Sequence, residues 1–474
     1  VGGGTVTHKA RTLMIQGTAS SVGKSIIVTA LCRIFRQDGY RVAPFKSQNM
    51  ALNSYVTPEG GEIGRAQAVQ AEAAGIQPSV DMNPVLLKPT TDTGSQVIVM
   101  GKVLRTISAR DYYQFTPFLL DSIESAMQRL QEKYDIVVIE GAGSPAEINL
   151  RQHEIANMRI ARMFQSPVLL VGDIDKGGVF ASLVGTMALL EPAERELVKG
   201  FIINKFRGDV SLLQDALDDI TERTGVPFLG VIPYFRDIHI AQEDSVFLDT
   251  RPNEKTRGDL DIAVIRLPHI SNYDDFDPLE AEGCSVYYVR QRYELGNPHL
   301  IIIPGTKSTV NDLRLLRQTG MADAILEKVR AGTPVIGICG GYQMLGQKIF
   351  DRNRIESPEQ EVPGLGLLDI VTEFLPEKAT AQVRGITAGG PGLLEDMSGE
   401  PVAGYEIHMG RTIGHEGHHV FDIFETPAGP VDYRDGAVNP AGTVMGTYLH
   451  GIFLNNGFRR KFIDNLRRYW GLPS

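Results

Sequence analysis

"TLMIQGTASSVGKS", residues 12–25, sets the apolar run Leu13-Met14-Ile15 against a glycine- and hydroxyl-rich loop, Gly17 to Ser25, and an apolar-rich stretch opens at Ile26. Strand, loop and helix in that order describe a P-loop. In such a loop backbone N–H groups and the helix N-terminus cradle phosphate oxygens, a lysine reaches the terminal phosphates, and the hydroxyl after it binds Mg²⁺. Lys24 and Ser25 supply the last two groups, while Gly17, Thr18, Ser20, Ser21, Val22 and Gly23 form the cradle. The loop is a variant form. The usual motif has four residues between its glycines, whereas five separate Gly17 from Gly23 and Thr18 takes the first-glycine place.

Outward from this loop, to about residue 235, short apolar runs alternate with helical patterns: "RVAPFK", "DIVVIEGAG", "PVLLVGDID", "GFIINKFRG", "PFLGVIPY". That alternation predicts a mostly parallel sheet with helices on both faces. Glu140 ends "IVVIE", so its carboxylate emerges at the C-terminal sheet edge, where ligands bind in open α/β folds. It is a second Mg²⁺ ligand candidate beside Ser25. Asp173 and Asp175 in "GDIDKGG" end a strand at a similar edge and compete for the role.

The polar, aperiodic stretch 236–259 reads as a linker, and residues 1–10 as a tail. A second α/β series follows over 260–474, with "LDIAVIRLP", "CSVYYVR", "HLIIIPGTKST" and "TPVIGICGG", then "LGLLDIVTEF", "AGYEIHMGR" and "GTVMGTYLHG". The expected fold is therefore α/β in two domains, 11–235 and 260–474, each a mostly parallel sheet flanked by helices. A chain of 474 residues is long enough for two or three domains at roughly 150 residues each.

Composition narrows the setting. Hydrophobic residues are 42% and charged residues 22% of the chain, and no apolar run approaches the ~20 residues of a membrane span. A formal net charge of −10 disfavours general nucleic-acid binding, which calls for a basic face. Three cysteines without metal-ligand spacing, Cys32, Cys284 and Cys339, argue against a disulfide framework, and with no secretory signal visible the expected location is the cytoplasm.

"GICGG", residues 337–341, has the G-x-C-x-G form of a nucleophile elbow, a tight strand-to-helix turn that exposes a side chain and aims N–H groups at a developing oxyanion. Cys339 is the expected nucleophile, and a helix N-terminus favours its thiolate. A base must come from elsewhere. His450 in "GTYLHGIF" ends an apolar run of the same domain and is the better placed; His408 in "GYEIHMGR" is its rival. The cluster His415, His418 and His419 lacks a cysteine or acidic ligand pattern and reads as a solvated loop.

The P-loop form with "VVIEGAGSP" and "INKFRGD" resembles the dethiobiotin synthetase-like group of P-loop enzymes, whose members phosphorylate or activate carboxylates. By that resemblance Lys46 in "APFKSQ" helps bind phosphate and substrate, and Asn204 contacts the adenine of ATP. Cys339-Gly340-Gly341-Tyr342-Gln343 resembles the class I glutamine amidotransferases. That implies that Gln343 helps hold glutamine, that the Gly340 N–H forms half of the oxyanion hole, and that the turn at Gly305 forms the other half. Ordinary members carry Glu two residues after the histidine. Here Gly451 and Ile452 follow His450, which matches the subgroup working with a Cys/His dyad.

The two halves in this order, with "FKSQNMALNSYVTPEGGEIGRAQ", "NPVLLKP", "DIDKGGVFASL" and "GYEIHMGRT", closely resemble the cobyric acid synthase family of the cobalamin pathway over nearly the whole chain. The resemblance implies ATP- and glutamine-dependent amidation of the b, d, e and g carboxylates of adenosylcobyrinic acid a,c-diamide, a corrin. Gln48, Asn49, Asn53, Arg65, Gln67 and Lys88 are then candidates for contact with it. A sister enzyme, cobyrinic acid a,c-diamide synthase, a lipid II amidating enzyme and, from another class, a P-loop partitioning ATPase stay open as alternatives.

Overall fold

The structure, a computed structural model, describes residues 9–90, 94–108, 112–235, 258–414 and 418–473. The expected linker lies almost wholly outside them, as does His415. The chain divides into two compact units, one from the described residues within 1–51, 62–87 and 93–241, the other from those within 52–61, 88–92 and 242–474. Among the described residues no helix is long and apolar enough to cross a membrane.

The first unit is built on a six-stranded parallel sheet in the order 228–233, 198–206, 168–173, 11–17, 136–140, 42–45. Successive side chains of a strand point to opposite faces, and the central strand Arg11–Gly17 shows the consequence. Ile15 packs with Ile27, Val28 and Cys32 of the helix Lys24–Gln37 on one face. Met14 packs on the other face, with Leu119, Ile123 and Met127 of the helix Thr116–Lys133. Both are fully buried, each worth about 1.5–3 kcal/mol of transfer free energy. Register then aligns the chemistry: Ile15 pairs with Glu140, Gly17 with Val171 and Asp173 with Asn204, so the loop, the acid and the amide share the carboxyl edge of the sheet. A four-stranded sheet of 48–50, 85–89, 94–99 and 102–108 stands beside this layer and has no counterpart in the sequence reading. Its first strand, "QNM", is too short and polar to carry a period.

The second unit repeats the plan in the order 285–289, 261–265, 300–303, 335–338, 444–447, 437–438, with the first five strands parallel and the last antiparallel. "AGYEIHMGR" departs from the expected α/β series. It belongs to the strand Pro401–Gly414, which runs antiparallel to the long strand Ile370–Thr387 in a second sheet. A shift of register between Glu373 and Lys378 sets His408 opposite Ala379.

Candidate functional site

In the first unit the predicted phosphate and metal residues converge. The helix Lys24–Gln37 starts after Gly23, whose φ of +102° lies in the left-handed region that glycine enters without a Cβ penalty. This lets Lys24 Nζ turn back to donate to the carbonyls of Ala19, at 3.0 Å, and Gly143, at 3.1 Å. Ser25 Oγ donates to Glu140 Oε1 at 2.8 Å, Lys46 Nζ donates to the same oxygen at 3.0 Å, and Gln70 Nε2 donates to Oε2 at 2.5 Å. Burial alone would push the Glu140 carboxyl up. The Lys46 ammonium and the hydrogen bonds from Gln70, Lys46 and Ser25 outweigh it and hold the carboxyl below its ordinary value. Ser25 and Glu140 thus present two hard oxygen donors of the kind Mg²⁺ prefers and would be the residues to hold it.

The competing acids are otherwise engaged. Asp173 accepts from Lys205 Nζ at 2.7 Å and from the Asp175 N–H at 2.9 Å, and Asp175 accepts from Arg207 Nε at 2.9 Å. Asn204 Nδ2 donates to the Val22 carbonyl at 2.8 Å, so its amide braces the loop from beneath. Of the corrin-contact candidates in this unit, Asn49 and Gln67 bond one another at 3.0 Å and Gln48 accepts from Tyr112 Oη at 2.5 Å. Sequence reasoning missed Gln70. It lies one helical turn beyond Gln67 on the helix Arg65–Ala74, in a run of alanines and glutamines with no motif to mark it.

In the second unit the elbow is formed. Cys339 sits between the strand Val335–Ile338 and the helix Gly340–Leu345 at φ +50°, ψ −108°, a strained conformation for a residue with a side chain. The flanking glycines have a steric reason. A Cβ at Gly341 would strike the Ile303 carbonyl, and one at Gly337 would lie 2.7 Å from the carbonyl of Gly341. Gly305 lies on the turn after the strand Leu300–Ile303. A Cβ there would sit 3.0 Å from His450 Cε1, and one at Gly340 would sit 3.2 Å from the Thr306 amide nitrogen, so the turn touches both the elbow and the imidazole.

His450 has a partner that the sequence hid. Its Nδ1 lies 2.6 Å from Asp275 Oδ2, and Asp275 Oδ1 accepts the Gly451 N–H at 2.9 Å. Both side chains are buried, the Tyr405 ring is stacked on the imidazole at 5.3 Å, and among the described residues no group completes a hydrogen bond of normal geometry to His450 Nε2. Burial disfavours the imidazolium, but the Asp275 carboxylate, by charge and hydrogen bond, and then Cys339 reverse this and push His450 up to about 10. The histidine of the dyad expected from the sequence is therefore held by a carboxylate, Asp275, from the 3₁₀ turn Tyr273–Phe276. It is 175 residues before its histidine, and "YDDFDP" carries no signal beyond its acidity.

The rival, His408, serves as a wall. Its ring is stacked on Tyr448 at 3.7 Å, Nδ1 lies 2.9 Å from the Gly410 carbonyl, and burial pushes it down to about 4. Gln343 is fixed by Thr309 Oγ1, which donates to its Oε1 at 3.1 Å, and by its own donation to Tyr448 Oη at 3.2 Å. Cys339, Gln343, Lys307, Glu356 and Lys378 line one pocket, and Lys88 joins them there instead of the phosphate site. Glu356 caps the helix Thr309–Gln318 through the Thr309 N–H at 2.8 Å, and burial pushes it up to about 7. Of the histidine cluster, His419 bonds Asp422 at 2.7 Å, and among the described residues no group of three or more His, Cys, Asp or Glu side chains is placed to hold a metal.

Two family models match, one on each unit's principal sheet. Residues 13–246 match the CobQ/CobB/MinD/ParA nucleotide-binding domain, and residues 261–458 match the CobB/CobQ-like glutamine amidotransferase domain. The molecule is of the class that joins a P-loop nucleotide-binding domain to a glutamine amidotransferase domain. A cobyric acid synthase of Dehalococcoides mccartyi is 62% identical over 98% of this chain and 92% of its own length. Those of Pelotomaculum thermopropionicum and Moorella thermoacetica are 55% and 52% identical, each over 98% of this chain and 89% and 90% of their own. The chain belongs to the cobyric acid synthase family.

Proposed function

We propose that the chain is a glutamine-hydrolysing, ATP-dependent amidating enzyme that converts the b, d, e and g carboxylates of adenosylcobyrinic acid a,c-diamide to amides. The observation that carries the reading is the presence in one chain of a nucleophile, Cys339, with the His450–Asp275 pair, and of a P-loop whose Ser25 meets Glu140. The corrin follows from the name of the relatives. A partitioning ATPase has no use for the elbow. Residues 11–235 and 260–474 are taken as the two catalytic domains, and three free, buried cysteines suit a reducing cytoplasm.

Cys339 attacks the carboxamide carbon of glutamine, the Gly340 N–H and the Gly305 turn stabilise the oxyanion, and His450 delivers its proton to the departing ammonia. Asp275 holds His450 Nδ1–H, which aims Nε2 at the reacting atoms. Water then hydrolyses the thioester to glutamate. Glutamine carries one ammonium and one carboxylate, and Glu356 with Lys307 and Lys378 offers the opposite charges in the same pocket. In the first domain Lys24 and Lys46 neutralise charge on the transferred phosphoryl group as a substrate carboxylate displaces ADP. Mg²⁺, held by Ser25 and Glu140, supplies further neutralisation there when bound. Ammonia displaces phosphate from the acyl phosphate and leaves the amide.

Incubation of the chain with cobyrinic acid a,c-diamide or its adenosyl form, glutamine, ATP and Mg²⁺ should give four successive mass decreases of an OH-to-NH₂ exchange, with ADP and glutamate formed in step. Glutamine hydrolysis without any change in corrin mass would overturn the substrate assignment.

A further inference from the structure

In the first unit, the chain that follows Glu140 folds around a cavity of about 900 Å³. Residues 142–145 form part of its wall, and one of them, Gly143, is the residue whose carbonyl receives Lys24 Nζ. The cavity therefore opens on the segment touched by the phosphate-reaching lysine. Its volume is at the top of the range of small-molecule pockets, roughly 300–1,000 Å³, far more than a simple carboxylic acid occupies.

The lining has two characters. Leu87, Ile107 and Met158 are buried and present an apolar floor, extended at the mouth by Met50 and Leu150, which are 53% and 42% exposed. Apolar side chains left open around a cavity mark a surface that a ligand covers. The rim carries guanidinium groups. Among the described residues, Arg159 Nη2 donates to the Gln152 carbonyl alone, at 2.8 Å. Arg151, whose Nη2 donates to the Leu189 carbonyl at 2.5 Å, and Arg162 share Glu191 at 3.6 and 3.9 Å, long ion-pair contacts between partly exposed groups that exchange readily for a better acceptor. Glu154 is spent on the backbone N–H groups of Ala156, Asn157 and Arg159. A broad apolar floor with a rim of cations and carboxylates suits a large, flat, apolar ring whose edge bears carboxylates and amides.

We infer that this cavity seats the corrin acceptor, with the ring against Leu87, Ile107 and Met158, one peripheral carboxylate directed along Ser144 toward Gly143 and Lys24, and others met by Arg159 and its neighbours. The inference rests on the amidation reading and adds the place of the substrate. Once amidated, a side chain loses its charge and its hold on the arginine rim, which lets the ring turn and present the next carboxylate.

The test is equilibrium dialysis of the full chain against cobyrinic acid a,c-diamide, read by the corrin's visible absorbance, with nucleotide affinity and the thermal midpoint measured in parallel. Leu150→Glu and Arg159→Ala should each weaken corrin binding about tenfold or more, by burying a charge against the ring in one and removing a carboxylate partner in the other. Nucleotide affinity should stay within about twofold. Independently, bound corrin should protect Met50 of the unaltered chain from peroxide oxidation, located by mass spectrometry. Unchanged corrin affinity in Arg159→Ala, weaker nucleotide binding in place of weaker corrin binding, or Met50 oxidised as fast with corrin bound would each overturn the assignment. A wild-type chain that binds no corrin would instead remove the amidation reading itself.

Discussion

At residue 450 the glutaminase chemistry turns on one proton. On the proposed function His450 holds it until ammonia leaves, and the buried Asp275 carboxylate, with Cys339, pushes the imidazole up from its ordinary 6.5 to about 10. Asp275→Asn removes that anion while its amide oxygen can still accept the Gly451 N–H. Burial then dominates and His450 falls below its ordinary value. Glutamine hydrolysis should drop by about 10²-fold or more at pH 7.5, in the range of general acid–base contributions, and the alkaline limb of its pH profile should move to lower pH. A loss of rate with the limb unmoved would mean that Asp275 only supports the fold. Glu140 differs in kind. It is a counter-ion of Lys46, whose side chain is 5% exposed, so Glu140→Gln takes a buried carboxylate away from a buried ammonium and lowers stability. Calorimetry should show a clear loss of thermal stability, largely recovered in Glu140→Gln/Lys46→Met.

At the scale of elements, the elbow depends on backbone against backbone. Gly341 lies so close to the strand Leu300–Ile303 that a single methyl would strike the Ile303 carbonyl. Gly341→Ala should push the helix Gly340–Leu345 off the sheet and displace the strained Cys339. Glutamine hydrolysis should fall at least tenfold along with the thermal midpoint, by overpacking of about 1–3 kcal/mol. An alanine variant with full activity would refute the close approach. The same glycines made the elbow readable, because close packing is written in adjacent residues. The P-loop and the acid ending "IVVIE" were readable for the same reason: a buried parallel strand is a continuous apolar run, and its edge is where the run stops. Contacts between distant segments left no such mark. Asp275 reaches His450 across 175 residues, Gln70 reaches Glu140 across 70, and the strand bearing His408 pairs antiparallel inside what resembled an α/β series. The burial of His408 against Tyr448, which pushes its imidazole down to about 4, is a tertiary fact with no mark in the sequence.

For the molecule as a whole, the two sites divide one reaction, and separate losses should reveal the division. On the proposed function Cys339 belongs to the site that releases ammonia and Glu140 to the site that activates the carboxylate, and the two residues fall in different units with their own cores. Cys339→Ala removes the nucleophile yet touches nothing at the P-loop. It should abolish glutamine-dependent amidation and keep amidation from a high concentration of ammonium at alkaline pH, where more of the amine is unprotonated. Glu140→Gln/Lys46→Met, chosen to spare the fold, should lose amidation from both nitrogen sources, because charge on the phosphoryl group is no longer neutralised. It should retain glutamine hydrolysis, which shows that its second unit is intact. Product amides counted by mass spectrometry with each nitrogen source decide the matter. If Cys339→Ala, correctly folded, is as inactive with ammonia as with glutamine, the thiol has a part in carboxylate activation and the division fails. If the double variant forms amide from ammonia at the wild-type rate, Glu140 and Lys46 are not where the phosphoryl charge is met.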